Sequence, residues 1–96
     1  MTAIFVATSR IKDPQKYAEY GANAGATFAA YGGELVVRGK AGDTLVGVSD
    51  HQTVAVARFP DMAALKGWYQ SADYQALIPL RDEAVDMILV TYEEPA

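Results

Sequence analysis

Four short runs rich in β-branched residues recur along this chain, separated in a fixed order by stretches of helical periodicity, and that order leaves few folds open. Residues 2–9 (TAIFVATS) read as a buried strand. Asp13-Pro14 follows, an N-cap acid ahead of a proline in the first turn, and so starts a helix. Its inward stripe is Tyr17, Tyr20, Gly21, Ala24, Phe28 and Tyr31, and Gly32-Gly33 ends it. Gly21 and Gly25 weaken this helix and are expected to let it approach a sheet closely. Residues 34–38 (ELVVR) form the second strand, 39–43 a loop, Leu45 and Val46 a short extension, 47–52 a turn, and 53–59 (TVAVARF) the third strand. Pro60-Asp61 breaks that strand and caps a second helix over 62–71, with Leu65, Trp68 and Tyr69 on its apolar face. Asp73 is expected to cap a further helix over 74–84, kinked or divided at Pro79, before the last strand at 86–92.

The resulting order, β-α-β-β-α-β, is the ferredoxin-like α+β pattern: a four-stranded antiparallel sheet with helices on one face, in a single domain over residues 1–96. An antiparallel sheet with one wet face alternates apolar and polar residues. Strands one, three and four do not; Ile4 and Val6 interleave with Phe5 and Ala7, and Met87 and Leu89 with Ile88 and Val90. The second face therefore needs a cover. The simplest is another copy of the chain, which predicts a homodimer built sheet to sheet over at least ~1,000 Å².

Composition narrows the function classes. The net charge is −4 and the eight basic residues are scattered, so no stripe exists to neutralise phosphates, and nucleic acid is not an expected partner. No run reaches the ~18 apolar residues that span a bilayer, so no membrane partner is expected either. The absence of cysteine excludes disulfides, thiol catalysis and thiolate metal sites. With no leader-like pattern at Met1–Ser9, a cytoplasmic location is the expectation. One histidine with no neighbouring ligand pattern predicts no metal site and no bound cofactor.

The pattern Gly32-Gly33-x-Leu35-x-x-Arg38-Gly39, Phe59-Pro60, Trp68-Tyr69-x-Ser71-x-x-Tyr74 and then Arg81 resembles the family called domain of unknown function 1330, over nearly the whole chain from Tyr17 to Val90. Trp-Tyr-x-Ser-x-x-Tyr with an arginine seven residues on is its most specific part. The resemblance implies a dimeric α/β barrel, in which two sheets pack face to face and each subunit holds a cavity between sheet and helices. That superfamily includes cofactor-independent monooxygenases, muconolactone-type isomerases and stress-response barrels; the family itself has no agreed activity. The family often carries a glutamate where this chain has Val46 and another where it has Arg58.

The candidate catalytic residues are Arg38, Tyr74 and Arg81. Arg38 ends a strand beside a glycine, and its planar fork suits a carboxylate or enolate; the alternative is a structural ion pair. Arg81 follows Tyr74 by two helical turns, which lets both face one cavity; the alternative is a solvated helix charge. Candidate ligand contacts are Trp68, Tyr69, Ser71 and His51. The aromatics can equally be core, with their polar tips seeking partners. Ser71 fits a helix cap better than a nucleophile. His51 lies in the polar turn Ser49-Asp50-His51-Gln52, where it can titrate near neutrality or simply be exposed. Two readings stay open: a cofactor-independent enzyme acting on a small organic acid or aromatic molecule, and a non-catalytic ligand-binding or stress-associated module. The pocket expectation places Arg38, Trp68, Tyr74 and Arg81 around one gap at the break near Ser71.

Overall fold

A computed structural model describes residues 1–95. The elements are β1 (Ala3–Ile11), α1 (Pro14–Ala26), β2 (Glu34–Lys40), β3 (Thr53–Phe59), α2 (Met62–Gln70), α3 (Ala72–Gln75), α4 (Ile78–Ala84) and β4 (Val85–Glu93), with one 3₁₀ turn at Ala29–Tyr31. The strands form one sheet in the order β2-β3-β1-β4, and every neighbouring pair is antiparallel. This is the ferredoxin-like α+β architecture that the element order predicts.

Local chemistry sets the boundaries. The Asp13 carboxylate accepts from the Lys16 amide (3.1 Å) and the Asp61 carboxylate from the Ala64 amide (2.7 Å), capping α1 and α2. α1 stops at Ala26, short of the expected Tyr31, because the Thr27 hydroxyl donates to the Ala24 carbonyl (2.6 Å) and the chain tightens into the 3₁₀ turn. Gly32, at φ 71°, reverses the chain. The expected helix over 74–84 is two helices. Ser71, not Asp73, caps the first, its Oγ accepting from the Tyr74 amide (3.2 Å). Pro79 lies in the first turn of α4, where its missing N–H costs nothing, so it begins a helix and does not kink one. Leu45 and Val46 extend no strand; Leu45 is 91% exposed in the loop that the Ala41 amide closes by donating to the Gln52 carbonyl (2.8 Å).

The core lies between the helices and the inner face of the sheet. β1 contributes Ala3, Phe5, Ala7 and Ser9, and β3 contributes Ala57 and Phe59. Phe5 stacks on Trp68 with ring centroids 5.1 Å apart, and Phe28 meets Phe5 edge-on at 5.8 Å. Gly33 is needed where it stands: a Cβ there would lie 2.4 Å from the Phe59 ring.

The opposite face carries no helix. Val37, Val56, Val6 and Val90 are register partners across all four strands and form a single valine row. Ile88 and Tyr92, 57% and 50% exposed, flank it on β4. Ion pairs close both ends of this apolar band, Arg10 with Asp86 at one and Arg58 with Glu94 at the other. Arg58 thus has a structural partner. Its Nε and Nη2 donate to the two Glu94 carboxylate oxygens at 2.6 and 3.1 Å, and the Thr2 hydroxyl adds a third bond at 2.9 Å. The Arg58 and then the Thr2 hydrogen bonds hold the Glu94 carboxyl below the usual carboxylate range. A depressed folded value means that this contribution to stability is complete above the unfolded glutamate value of about 4.3 and is lost as pH falls through the folded one. Arg58→Ala is expected to raise the Glu94 midpoint toward the ordinary value in a carboxyl ¹³C titration; an unmoved midpoint refutes the coupling.

A candidate binding cavity beneath the first helix

α1 packs along α4 and stands off the sheet, whereas α2 packs directly on β1 and β3. Two contacts tie α1 to the C-terminal helices: Lys16 Nζ donates to Glu83 Oε2 of α4 (2.9 Å), and the Tyr20 and Tyr74 hydroxyls lie 2.8 Å apart. The gap left between α1 and the sheet is a partly open cavity of about 90 Å³, to which β2 contributes Leu35 and Arg38. Its body is aromatic and apolar, formed mainly by Phe5, Phe28, Trp68 and Ala24. Its polar groups are few: Ser9, Tyr17, Tyr20 and Arg38.

Gly21 and Gly25 line this cavity, one helical turn apart. A Cβ built at either would meet nothing within 4 Å. Both are exposed at the edge of the cavity, so they do not bring the helix onto the sheet as the sequence suggested.

Arg38 reaches the cavity from β2, opposite Ala55 on the helix-facing side of the sheet. Of the four arginines, Arg10, Arg58 and Arg81 each pair with a carboxylate, while among the described residues Arg38 makes no ion pair and no side-chain hydrogen bond. Trp68 forms part of the wall, and its indole N–H donates to the Thr27 hydroxyl at 2.7 Å.

Tyr69, Tyr74 and Arg81 come together in a separate cluster that does not line this cavity. Arg81 Nη1 donates to the Tyr74 hydroxyl (3.1 Å) and to the Tyr69 hydroxyl (3.4 Å), and Tyr74 is 0% exposed. The expected four-residue pocket is thus divided: Arg38 and Trp68 are at the cavity, and Tyr74 and Arg81 lie behind Tyr20, which joins the two groups. The gap forms beneath α1 rather than at the helix break because Ser71 closes that break. Its hydroxyl donates to the Trp68 carbonyl at 2.6 Å, and its oxygen caps α3. His51 is on the other side of the sheet: its Nδ1 lies 2.7 Å from Oγ1 of Thr8, which alternates with the inward Ala7 and Ser9. The structure does not bring His51 or Ser71 to the cavity.

Sequence reasoning placed Tyr17 and Tyr20 on the inward stripe of α1 but not at a site. Tyrosines sharing that stripe with two glycines are a pattern that could have flagged them: polar tips beside missing side chains. A second, more open depression of about 220 Å³ lies between α2 and β4, lined by Leu65, Lys66, Tyr69, Gln70, Leu89 and Thr91. The Tyr69 hydroxyl there is already engaged by Arg81. Among the described residues, no three His, Cys, Asp or Glu side chains are grouped to hold a metal ion, and no helix is long and apolar enough to cross a membrane.

The architecture is that of a ferredoxin-like protein with a cavity between helix layer and sheet. The chain belongs to the domain of unknown function family DUF1330, whose profile matches residues 2–94. No curated protein matches it. Among solved structures it is similar to RPA0582, a protein of unknown function from Rhodopseudomonas palustris, with TM-score 0.84 and 23% identity over 99% of this chain and 83% of that one. SnoaB, a cofactor-independent oxygenase from Streptomyces nogalater, aligns with TM-score 0.73 and 14% identity over 99% and 94% of the two chains. A dimeric ferredoxin-like protein of unknown function from Thermobifida fusca aligns with TM-score 0.65 and 17% identity over 96% and 90%. At these identities the likeness is one of fold.

Proposed function

We propose that this protein is a cytoplasmic homodimer that binds a small apolar carboxylic acid in the cavity beneath α1, with its ring or chain against Phe5, Phe28 and Trp68 and its carboxylate on Arg38. The carrying observation is the combination of two exposed mid-helix glycines at the cavity's edge with an arginine that lines it and, among the described residues, has no carboxylate partner. A mid-helix glycine costs roughly 1 kcal/mol relative to alanine. Gly21 and Gly25 are both exposed at the edge of the cavity and gain no packing in return, which supports a role in keeping its entrance open. The size limits the ligand: about 90 Å³ is less than the ~150 Å³ apolar cavity that holds one benzene ring, so a single ring reaching out through the open side is the upper bound. The homodimer is supported by the valine row on the helix-free face, and the T. fusca neighbour is described as dimeric.

Binding is better supported than turnover. The SnoaB likeness is compatible with cofactor-independent chemistry on a substrate that supplies its own reactivity, but the cavity's titratable groups are phenols and a guanidinium, and His51 is on the other face. As an enzyme it would use Arg38 to stabilise an anionic or enolic form and Tyr20 as the proton-bearing group of the same cavity.

Thermal denaturation with benzoate and cyclohexanecarboxylate tests the reading. At tenfold excess over Kd the expected stabilisation is about 1.4 kcal/mol, or several degrees in a domain of this size. Arg38→Ala should weaken both acids at least tenfold, because hydrogen bonds to a charged group contribute about 1.5–3 kcal/mol. Lys66→Ala at the second depression should leave the response intact. No shift with any small apolar acid, or an undiminished shift in Arg38→Ala, overturns the assignment.

A further inference from the structure

The hydrogen-bond directions in the cluster behind the cavity are fixed by its composition. A guanidinium donates and cannot accept. Arg81 therefore donates to the Tyr74 oxygen at 3.1 Å, and the Tyr74 proton must go elsewhere. Tyr74 is 0% exposed, so bulk solvent does not reach that proton, and among the described residues the acceptor placed for it is the Tyr20 oxygen, 2.8 Å away. The reverse arrangement, Tyr20 donating to Tyr74, would leave the Tyr74 proton enclosed and unpaired, which costs about 1–3 kcal/mol. The chain thus runs Arg81 to Tyr74 to Tyr20.

Tyr20 is then left with a hydroxyl proton that no group among the described residues accepts. It is only 6% exposed, and it lines the cavity. Burial, and after it the adjacent Tyr74 hydroxyl, push its phenol far above the ordinary range, so it stays neutral and protonated. Upstream donation from Arg81 through Tyr74 also polarises the Tyr20 O–H and strengthens what it can donate.

We infer that Tyr20 is the specificity determinant of the cavity, donating a hydrogen bond to a neutral oxygen of the bound molecule, so that the ligand class is narrowed from apolar acids to apolar oxo acids: a carboxylate for Arg38 and a ketone oxygen for Tyr20. This rests on the cavity reading above. A site that presents a buried donor discriminates against the analogue lacking its acceptor, because the donor is then desolvated and unpaired.

Isothermal titration of the full chain with cyclohexanecarboxylate and its 3- and 4-oxo derivatives separates the two readings. A ketone accepts and cannot donate, so it tests the direction as well as the contact. At least one oxo acid is expected to bind about tenfold tighter than the parent, and Tyr20→Phe is expected to abolish the difference while retaining affinity for the parent acid. If none of the three acids binds, the cavity reading itself fails and this proposal falls with it. If the parent binds and no oxo acid binds tighter, the cavity reading stands and the Tyr20 assignment is overturned; a preference that survives in Tyr20→Phe overturns it equally. Should Tyr20→Phe fail to fold, wild-type protein carrying [ζ-¹³C]tyrosine decides. The Tyr20 signal must move with the preferred oxo acid beyond its movement with the parent, and equal movement overturns the proposal.

Discussion

Val90→Glu is expected to sediment as a folded monomer at micromolar concentration, where the unchanged chain sediments as a dimer. Val90 ends the valine row that crosses the helix-free face through Val6 and Val56 to Val37, and it is 40% exposed in the protomer. A glutamate there stays solvated in the isolated chain, so the fold survives. In a two-fold interface the same patch meets itself, so each substitution places two carboxylates in the contact. Burying an unpaired charge costs several kcal/mol, and two near each other repel, so a weakening on the order of a thousandfold is expected. Circular dichroism checks that the monomer is folded. A dimer that ignores Val90→Glu, or a wild-type chain that is itself monomeric, removes the sheet face as the interface.

That face was legible in the sequence because the evidence for it is a period-2 pattern, and a strand shows both of its faces in alternate residues. β3 lies at 53–59 as read, since its turn signals are sharp on both sides: a polar turn before and Pro60 after. The helical breaks were less legible. Asp73 and Ser71 are both acceptable caps two residues apart, and the choice falls to Ser71 because its hydroxyl also serves the Trp68 carbonyl that ends α2. Pro79 reads as a kink in a long helix or as the first turn of a short one, and only the preceding turn at Ala76 and Leu77 selects the second.

The candidate site was half legible. Arg38 and Trp68, singled out by type, spacing and the family resemblance, line the cavity. Tyr74 and Arg81 were rightly placed close together, two turns apart, yet their side chains meet each other and Tyr20 behind the cavity instead of lining it. The deciding quantity is the height of α1 above the sheet. Its anchors are distant in sequence, Lys16 to Glu83 and Tyr20 to Tyr74, and no periodicity within 14–26 encodes them. The same ambiguity governs Gly21 and Gly25. A glycine on an inward helical stripe serves close approach when the helix is low and an open space when it is high.

That height makes the glycines the sharpest place to set stability against binding. Gly21→Ala and Gly25→Ala are each expected to stabilise the fold by about 0.8–1.0 kcal/mol through helix propensity, raising Tm by roughly 4–8 °C apiece. No clash opposes the gain, since an added Cβ meets nothing within 4 Å at either position, and neither glycine adopts a positive φ. Had the glycines served close approach, the same substitutions would push α1 off the sheet and lower Tm, so the sign of the change alone separates the two roles. Gly25→Leu then tests the space. Its side chain is expected to occupy the cavity mouth, keep the fold at least as stable as the parent, and abolish the thermal response to benzoate that Arg38 supports. A variant that is both more stable and unresponsive would show that these two positions hold the cavity open against the helix's own preference. A stable Gly25→Leu protein that still responds fully to benzoate would place the acid somewhere other than beneath α1.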